Sequence, residues 1–248
     1  MRFPHVKPPL GIPIDPSHPL AKGLVGYWPM LENGGVITQD ASLNGNTGTI
    51  VGATWVAGKF GPCLSFDGSD VVTTGVTFNN PQFTYSFWAK SNVATGGPYY
   101  ALFEGAARTR NIGIKEATYK WQVWENKLIG DNAIVAGTWY HVVYTHNGTT
   151  GKLYIDAIEE DSKEYSLLSG GAFGIGAYNP ASPAYNFNGL IDDVMLYNRA
   201  LSAREIADLY TNPFGMSQPT FSVWWYSGIG GEPPVTSIPI FMYHYLNH

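Results

Sequence analysis

Cysteine is almost absent from this sequence. Cys63 is the single cysteine among 248 residues, so an internal disulfide framework is excluded. It lies in the largely apolar, strand-like segment Pro62–Phe66. A thiol in such a segment is typically buried and unreactive, and we expect this of Cys63.

Charge is also scarce. Asp, Glu, Lys and Arg make up 13% of the chain, and 19 acidic residues against 14 basic ones give a net charge of −5. Nucleic-acid-binding proteins neutralise phosphates with a basic stripe, and this sequence contains none. The composition therefore predicts no nucleic-acid partner.

Long apolar runs are missing, and no segment has the length and hydropathy needed to cross a bilayer. Residues 1–22 contain six prolines, at positions 4, 8, 9, 13, 16 and 19, which interrupt any hydrophobic stretch. The sequence thus predicts synthesis without a secretory signal peptide. We expect residues 1–22 to form a proline-rich arm, lying either across its own domain or on a neighbouring subunit.

Aromatic residues, by contrast, reach 15% of the chain, and there are 29 glycines. This combination favours short strands joined by tight turns. About twelve strand-like segments follow one another at the spacing of a jelly roll. The sequence therefore predicts an all-β fold, a two-sheet antiparallel jelly-roll sandwich with one short C-terminal capped helix and extended N- and C-terminal arms.

The segment Gly189–Tyr210 has the clearest strand pattern in its first half. Residues there alternate with period two, which predicts a strand with Asp192, Val194 and Leu196 on one face. Asp193 then belongs to the opposite face. On this pattern the two adjacent carboxyls cannot act as a pair.

The second half of this segment predicts a short helix. Ser202 and Glu205 have the spacing of a capping box, and Leu201 and Ile206 occupy the positions of a hydrophobic staple. Asn212-Pro213 ends the apolar stripe. We therefore expect a capped helix to close the domain.

These residues carry a family resemblance. GLIDDVMLYNRALS at 189–202 follows GLVGYWPM at 23–30, DASLNGNTGTIVGATWVAGKFGPCLSFDGSD at 40–70, FTYSFWAKS at 83–91 and GTWYHVVYTHNGTTGKLYIDA at 137–157. In this order the motifs resemble the laminin-G-like, concanavalin A-like lectin/glucanase jelly-roll family. The resemblance implies a sandwich over residues 23–213. Residues 214–248 have no counterpart in the family core, and we interpret them as an aromatic assembly tail. It does not imply one function, because this fold serves lectins, enzyme-appended modules and structural proteins.

The assembly that runs from HPLAKGLVGYW at 18–28 through LYTNPF at 209–214 to a short aromatic tail also resembles laminin-G-like proteins encoded by tailed bacteriophages. This implies a non-enzymatic structural or adhesion protein on the virion surface, as head decoration, fibre or tail-associated protein. Its partners would then be further copies of the chain, other virion proteins or a host-surface glycan. The alternative is a carbohydrate-binding module of a secreted protein, which would be extracellular.

In the resembled family a structural calcium often links an Asx-rich loop to the late strand. Asp40, Asn44 and Asn46 in such a loop, together with Asp192, would be the ligands here, since Ca²⁺ prefers carboxylate, amide and carbonyl oxygens. The alternative is that the loop residues form Asx turns and that Asp192 accepts hydrogen bonds from loop amides. Such an ion would be structural.

Catalytic motifs are absent. Relatives that cut polysaccharides carry an E-x-D-x-E strand, which this chain lacks, and retaining hydrolysis needs two carboxylates about 5–5.5 Å apart. Glu159–Asp161 has the pattern of a solvated acidic turn, and His141 that of a packed strand histidine. The sequence therefore predicts that the protein is not an enzyme.

Aromatic side chains are the candidates for ligand binding. Sugars stack on aromatic platforms, although cross-strand or core packing is the ordinary role of any one such residue. The candidates are Tyr99, Trp121, Trp124, Tyr178 and Tyr185.

A second aromatic group follows Pro213. Its candidates for assembly are Phe221, Trp224, Trp225, Tyr226, Phe241 and Tyr243. Monomers rarely expose so much apolar surface, so the segment either folds back on its own sandwich or packs against another chain. We favour another chain.

Overall fold

The computed structural model describes residues 6–93, 99–104, 110–114, 118–123, 127–177 and 186–217. Within them the chain forms two antiparallel β-sheets packed face to face and one short α-helix. The predicted all-β sandwich fold is confirmed. It has sixteen strands over these ranges, more than the sequence pattern indicated, because several are only two to four residues long.

The strands are numbered in chain order. They are β1 (Leu24–Trp28), β2 (Ile37–Thr38), β3 (Gly48–Val51), β4 (Thr54–Ala57), β5 (Pro62–Asp67), β6 (Val71–Phe78), β7 (Gln82–Ser91), β8 (Tyr99–Glu104), β9 (Ile112–Ile114), β10 (Lys120–Val123), β11 (Leu128–Ala133), β12 (Trp139–Asn147), β13 (Thr150–Ile155), β14 (Ile158–Glu164), β15 (Gly171–Ile175) and β16 (Asn188–Tyr197). The helix α1 spans Ala203–Thr211. Short 3₁₀ helices lie at Pro19–Ala21 and Gly215–Ser217.

Each sheet has eight strands. Sheet one has the order β14-β13-β12-β7-β16-β5-β4, and β1 pairs with the remaining length of β16. Sheet two has the order β11-β10-β9-β8-β15-β6-β3-β2. The long strand β16 is therefore central to sheet one, because it pairs with β7 on one side and with both β1 and β5 on the other.

The main core lies between the two sheets and is rich in aromatic rings. Trp28 stacks on Phe173, with ring centroids 5.6 Å apart, and Phe87 meets Trp121 edge-on at 5.8 Å. Such pairs bury large apolar areas and are worth about 0.5–1.5 kcal/mol beyond area burial. Cys63 is fully buried in β5, as expected.

A second core lies on the outer face of sheet one. Ile14 and Leu20 of the N-terminal arm pack there with Met195 of β16 and Ile206 of α1. The arm is also tied down by backbone hydrogen bonds from Lys7 to Phe60 and from Asp15 to Met216. The sequence leaves two placements open for the arm, across its own domain or on a neighbouring subunit. In the structure residues 6–22 lie across their own sandwich.

The helix begins with the predicted capping box. The Ser202 hydroxyl accepts a hydrogen bond from the Glu205 amide, and the Glu205 carboxylate accepts one from the Ser202 amide. Leu201 and Ile206 are both buried, as a hydrophobic staple requires. Packing against the sandwich continues past Pro213, because Phe214 and Met216 are 3% and 1% exposed.

Glu160 and Asp161 lie on the edge strand β14. Asp161 Oδ2 accepts a 2.8 Å hydrogen bond from the amide of Ile129, and Glu160 Oε2 accepts a 3.0 Å bond from that of Asp131. Both amides belong to β11, the edge strand of the other sheet. The two carboxylates thus join the two sheet edges, and the prediction of a solvated acidic turn is wrong for them. Occupying the amides of an edge strand also protects it against pairing with other chains.

No helix among the described residues combines the length and hydropathy that a membrane-spanning helix requires.

Candidate functional site

The adjacent carboxyls of β16 lie at a β-bulge. Asp192 is opposite Trp88 and Met195 is opposite Ser86, so β16 carries one residue more than β7 over this interval. Asp193 takes up the extra length with a positive φ of 52°. As a result Val194 packs in the inter-sheet core, whereas Asp192 pairs with the arm residue Lys7. The prediction that Asp192 and Val194 share a face is wrong because the bulge shifts the alternation.

The bulge also places both carboxyls towards the arm. Asp192 forms an ion pair with the Lys7 ammonium, and Asp193 Oδ1 accepts a 2.8 Å hydrogen bond from the Tyr27 hydroxyl. Burial raises the pKa of Asp192 to about 7 and that of Asp193 to about 8, with the Asp192 charge adding to the second shift. The prediction that these carboxyls point to opposite faces is therefore wrong. At 0% and 3% exposure, however, neither is open to a substrate.

The predicted calcium loop folds around Asp40. Its Oδ1 accepts hydrogen bonds from the amides of Tyr27 and Ser42 at 2.9 and 2.8 Å, and its Oδ2 accepts one from the Asn46 amide at 2.9 Å. This matches the Asx-turn alternative. Asp40 thus ties the loop to β1 through backbone amides.

The two asparagines of this loop present nitrogen, not oxygen, to the neighbouring carbonyls. Asn44 Nδ2 donates to the carbonyls of Leu24 and Val25, both at 3.1 Å, and Asn46 Nδ2 donates to Val25 at 2.8 Å. The fourth predicted ligand, Asp192, is paired with Lys7. A calcium ion would need the carboxylate oxygens of Asp40 and Asp192 and the nearby carbonyl oxygens as ligands, and all of these groups already have partners. The four predicted residues therefore do not fit the ion as they are arranged. The described residues also contain no cluster of three or more His, Cys, Asp or Glu side chains suited to a metal.

Trp121 belongs to the core. It is 2% exposed and packs between Phe87 and Phe187, with ring centroids 5.8 and 6.4 Å away. Its prediction as a sugar platform is wrong, because β10 directs this side chain between the sheets. Tyr99 is opposite Ile114 in the β8–β9 ladder, and its side chain lies outside the described part of the structure.

The remaining aromatic candidates lie outside the described residues. Those for ligand binding are Trp124, Tyr178 and Tyr185. Those for assembly are Phe221, Trp224, Trp225, Tyr226, Phe241 and Tyr243.

Ser86 and His141 resemble a nucleophile–base pair in distance alone. Ser86 Oγ lies 2.9 Å from His141 Nε2, but the two residues are only 2% and 1% exposed. Tyr210 covers the imidazole, with centroids 5.9 Å apart, and burial lowers the pKa of His141 to about 3. Nothing in this arrangement admits a substrate to the hydroxyl. His141 is the packed strand histidine that the sequence predicts.

A polar groove of about 330 Å³ opens at one end of the sandwich. This volume lies at the lower end of the range of small-molecule pockets, about 300–1,000 Å³. Four separate connections contribute to it, namely the β6–β7 turn, the segment before β9, the β12–β13 turn and the β14–β15 connection. The lining residues are Asn79, Pro81, Arg110, Gly148, Ser166, Leu167, Leu168 and Ser169.

Arg110 fixes the geometry of the groove. Its Nε donates to the carbonyl of Leu168 at 3.2 Å and its Nη1 to that of Asn80 at 2.8 Å. The guanidinium also lies 5.1 Å from the Phe83 ring centroid, a cation–π contact. Arg110 is only 2% exposed, so it contacts the groove from its buried side. Its hydrogen bonds join the β14–β15 connection to the β6–β7 turn.

The rim of the groove is solvent-accessible. Ser166 and Ser169 are exposed hydroxyls, and Leu168 is an exposed aliphatic side chain at 56%. Hydroxyls beside an aliphatic surface suit a ligand with both hydroxyl groups and C–H faces. Sequence reasoning missed this groove because its residues come from four loops and share no motif.

Comparison with known proteins supports the fold. The profile of the concanavalin A-like lectin/glucanases superfamily matches residues 66–207. Comparison with curated proteins yields no match.

Several solved structures are similar in fold. Domain 4 of AbnA, a GH43 extracellular arabinanase from Geobacillus stearothermophilus in complex with arabinotriose, superposes with a TM-score of 0.60 at 19% identity, over 75% of this chain and 98% of that domain. The binding domain of Paraclostridial Mosquitocidal Protein 1 gives 0.59 at 19% identity, over 77% and 52%. Trypanosoma rangeli sialidase gives 0.58 at 17%, over 78% and 33%, so this chain spans about a third of that enzyme.

Proposed function

The chain belongs to the concanavalin A-like lectin/glucanases superfamily, and on that premise we propose that it is a non-enzymatic, glycan-binding protein. The observation that carries this proposal is the open groove lined by Arg110, Ser166, Leu168 and Ser169. It combines hydrogen-bonding groups with an aliphatic surface, and a saccharide presents the complementary hydroxyl groups and C–H faces. The AbnA domain with arabinotriose is the structural neighbour that makes glycan the ligand class to test first.

The non-enzymatic part of the proposal rests on where the reactive groups lie. The only adjacent carboxyls of β16, Asp192 and Asp193, are buried beneath the arm. Ser86 and His141 are buried beneath Tyr210. A ligand bound in the groove would touch neither pair, since none of these residues lines it.

The test is glycan binding by the full chain, measured on a saccharide panel and then by calorimetry on any ligand found. Ser166→Trp places an indole in the groove and should abolish binding. Leu168→Ala removes aliphatic surface and should weaken binding roughly fivefold. Ile158→Ala, at an exposed aliphatic residue of β14 outside the groove, is the matched control and should bind normally.

Equal binding by Ser166→Trp and the parent chain would reject the groove as the site. Release of reducing ends from any bound polysaccharide would reject the non-enzymatic assignment.

We further propose that this sandwich is displayed on the surface of a bacteriophage virion, where it meets host glycans. Assembly would use the aromatic segment after Ser217, since residues 6–22 of the other arm already pack on their own sandwich. The candidate contacts are those predicted from the sequence, Trp224 and Trp225 foremost. The alternative role is that of an extracellular carbohydrate-binding module.

Light scattering of the full chain and of a chain ending at Ser217 tests the assembly role. The cut is placed after Ser217 because Phe214 and Met216 are part of the packed sandwich. An oligomer that becomes a monomer on truncation supports assembly, and two monomers reject it. Mass spectrometry of purified phage particles then tests the virion role, which absence of the chain would reject.

A further inference from the structure

His146, the penultimate residue of β12, is buried and contacts two residues that line the groove. Its Nδ1 accepts a 3.0 Å hydrogen bond from the amide of Gly148, in the β12–β13 turn. The same nitrogen lies 3.3 Å from the carbonyl oxygen of Pro81, in the β6–β7 turn. Gly148 and Pro81 both line the groove, so one imidazole nitrogen faces two of the turns that form it.

These contacts determine the protonation state of the ring. A backbone N–H only donates, so Nδ1 must present a lone pair to Gly148 and carries no proton. The ring proton is therefore assigned to Nε2, which lies 3.3 Å from the carbonyl of Tyr165 and donates to it. In this neutral tautomer the Pro81 carbonyl faces a lone pair, not a donor.

Protonation of Nδ1 would reverse both contacts. An imidazolium has two N–H donors and no acceptor, so the Gly148 amide would lose its partner and the Pro81 carbonyl would gain one. A partly buried amide without an acceptor is unfavourable, which drives the β12–β13 turn towards a position where water reaches it. A single proton on His146 thus alters the lining of the groove at two points.

The surroundings keep the ring neutral at pH 7. Burial lowers the pKa of His146, and the guanidinium charge of Arg110 acts in the same direction, whereas the carbonyls of Pro81 and Tyr165 oppose the shift. The imidazole stacks on Phe83 of β7, with ring centroids 6.0 Å apart, and meets Tyr165 edge-on at 5.1 Å. Tyr165 is itself neutral, because burial raises its pKa.

The other neighbours add no charge at the ring. The cross-strand partner of His146 in β13 is Gly151, which has no side chain. Lys127 and Asp161 act on Tyr165, through a cation–π contact and through their charge. Within the described part of the chain, Arg110 is therefore the charge that acts on the imidazole.

We propose that His146 is a positioning residue of the groove, and that a proton on its Nδ1 weakens ligand binding by releasing the Gly148 amide. This rests on the proposed function, because it takes the groove to be the glycan site and states how that site is regulated. Binding is strong at neutral pH and weaker in acid. The eight lining residues include no Asp, Glu or His, so an acid effect on a neutral saccharide does not come from the lining itself.

Two substitutions separate the two ring nitrogens. His146→Asn places an amide oxygen near the position of Nδ1, so the Gly148 amide keeps an acceptor that cannot be protonated. His146→Gln reaches towards the position of Nε2 and keeps a donor for the Tyr165 carbonyl, but it leaves Gly148 without an acceptor.

Calorimetry with a neutral saccharide from the panel, in steps from about pH 7.5 to about pH 4.5, measures the effect. The parent chain should lose about tenfold in affinity as His146 is protonated. His146→Asn should bind equally at every pH, and His146→Gln should bind weakly throughout. An equal loss of affinity in acid for the parent and for His146→Asn would overturn the proposal.

The Gly148 amide provides a readout that needs neither ligand nor variant. In nitrogen-15 NMR of the parent chain, Nδ1 of His146 should show the shift of an unprotonated nitrogen at pH 7. The Gly148 amide resonance should then move in acid with the midpoint of the ring. The Thr150 amide, which donates to Asn147 Oδ1 at 2.8 Å in the same turn, is the internal control and should move less.

This measurement distinguishes failure of the regulation from failure of the groove. If the Gly148 amide follows the ring but no saccharide binds at any pH, the glycan site is rejected and the coupling of His146 to the turn stands. If the Gly148 amide does not follow the ring, the coupling is overturned even where a saccharide binds.

Discussion

The Tyr27 hydroxyl donates a 2.8 Å hydrogen bond to Asp193 Oδ1, joining β1 to the bulge in β16 across 166 residues of sequence. Asp193 is 3% exposed, and burial, together with the charge of Asp192, raises its pKa to about 8. In the unfolded chain the same carboxyl titrates near 4. Between these values the folded state holds a proton that the unfolded state has released.

The first prediction concerns stability in alkaline solution. Because the folded pKa is raised, the contribution of Asp193 is fully present below pH 4 and is lost as the pH rises towards 8. Asparagine cannot ionise, so Asp193→Asn is spared this loss. Its free energy of unfolding should therefore rise relative to that of the parent as the pH increases across this window. Urea unfolding at intervals from pH 4 to pH 9 measures the difference. A difference that is constant with pH would contradict the raised pKa.

The second prediction concerns His141 and has the opposite sign. Burial lowers the pKa of His141 to about 3, whereas the unfolded imidazole titrates near 6.5. Its contribution is therefore present above pH 6.5 and is lost as the pH falls towards 3. Relative to the parent, His141→Gln should gain stability steadily over that interval in the same unfolding series. Equal pH dependence of the two proteins below pH 6.5 would show that His141 is not the buried neutral group.

Local sequence signals predicted local structure well. The Ser202–Glu205 capping box and the Leu201–Ile206 staple lie where their spacing indicates, since both depend only on residues within one helical turn. The bulge at Asp193 was not predicted, because a period-two pattern carries no signal for an inserted residue. Its consequence, two carboxyls towards the arm, depends on Tyr27 and Lys7, which are far away in sequence.

Trp121 shows a related limit. Alternation in β10 identifies two faces but not which of them meets the other sheet. An exposed platform and a core tryptophan therefore have the same sequence pattern. The groove around Arg110 could not be predicted from the sequence for a different reason. Four loops line it, and they come together only when both sheets have formed.

The third prediction concerns the contact between the two sheet edges. Asp161→Asn weakens a charge-assisted hydrogen bond to the amide of Ile129, a type worth about 1.5–3 kcal/mol. Native-state hydrogen exchange at the Ile129 amide should accelerate by about tenfold, because β11 opens more readily. The amide of Phe87 in the central strand β7 is the internal control and should be unchanged. Acceleration at both amides would indicate global destabilisation, and none at Ile129 would contradict the contact.

The fourth prediction concerns calcium in the parent chain. Both carboxylate oxygens of Asp40 accept hydrogen bonds from backbone amides. The side-chain N–H groups of Asn44 and Asn46 donate hydrogen bonds to the carbonyls of Leu24 and Val25.

Thermal melting in excess chelator should therefore match melting in millimolar calcium. Asp40→Asn should lower stability by about 1–3 kcal/mol in both solutions, because it leaves a loop amide without its acceptor whether or not metal is present. A parent chain that melts several degrees lower in chelator would show that the loop rearranges around the ion. In that case Asp40 would make its hydrogen bonds to the loop amides only in the metal-free protein.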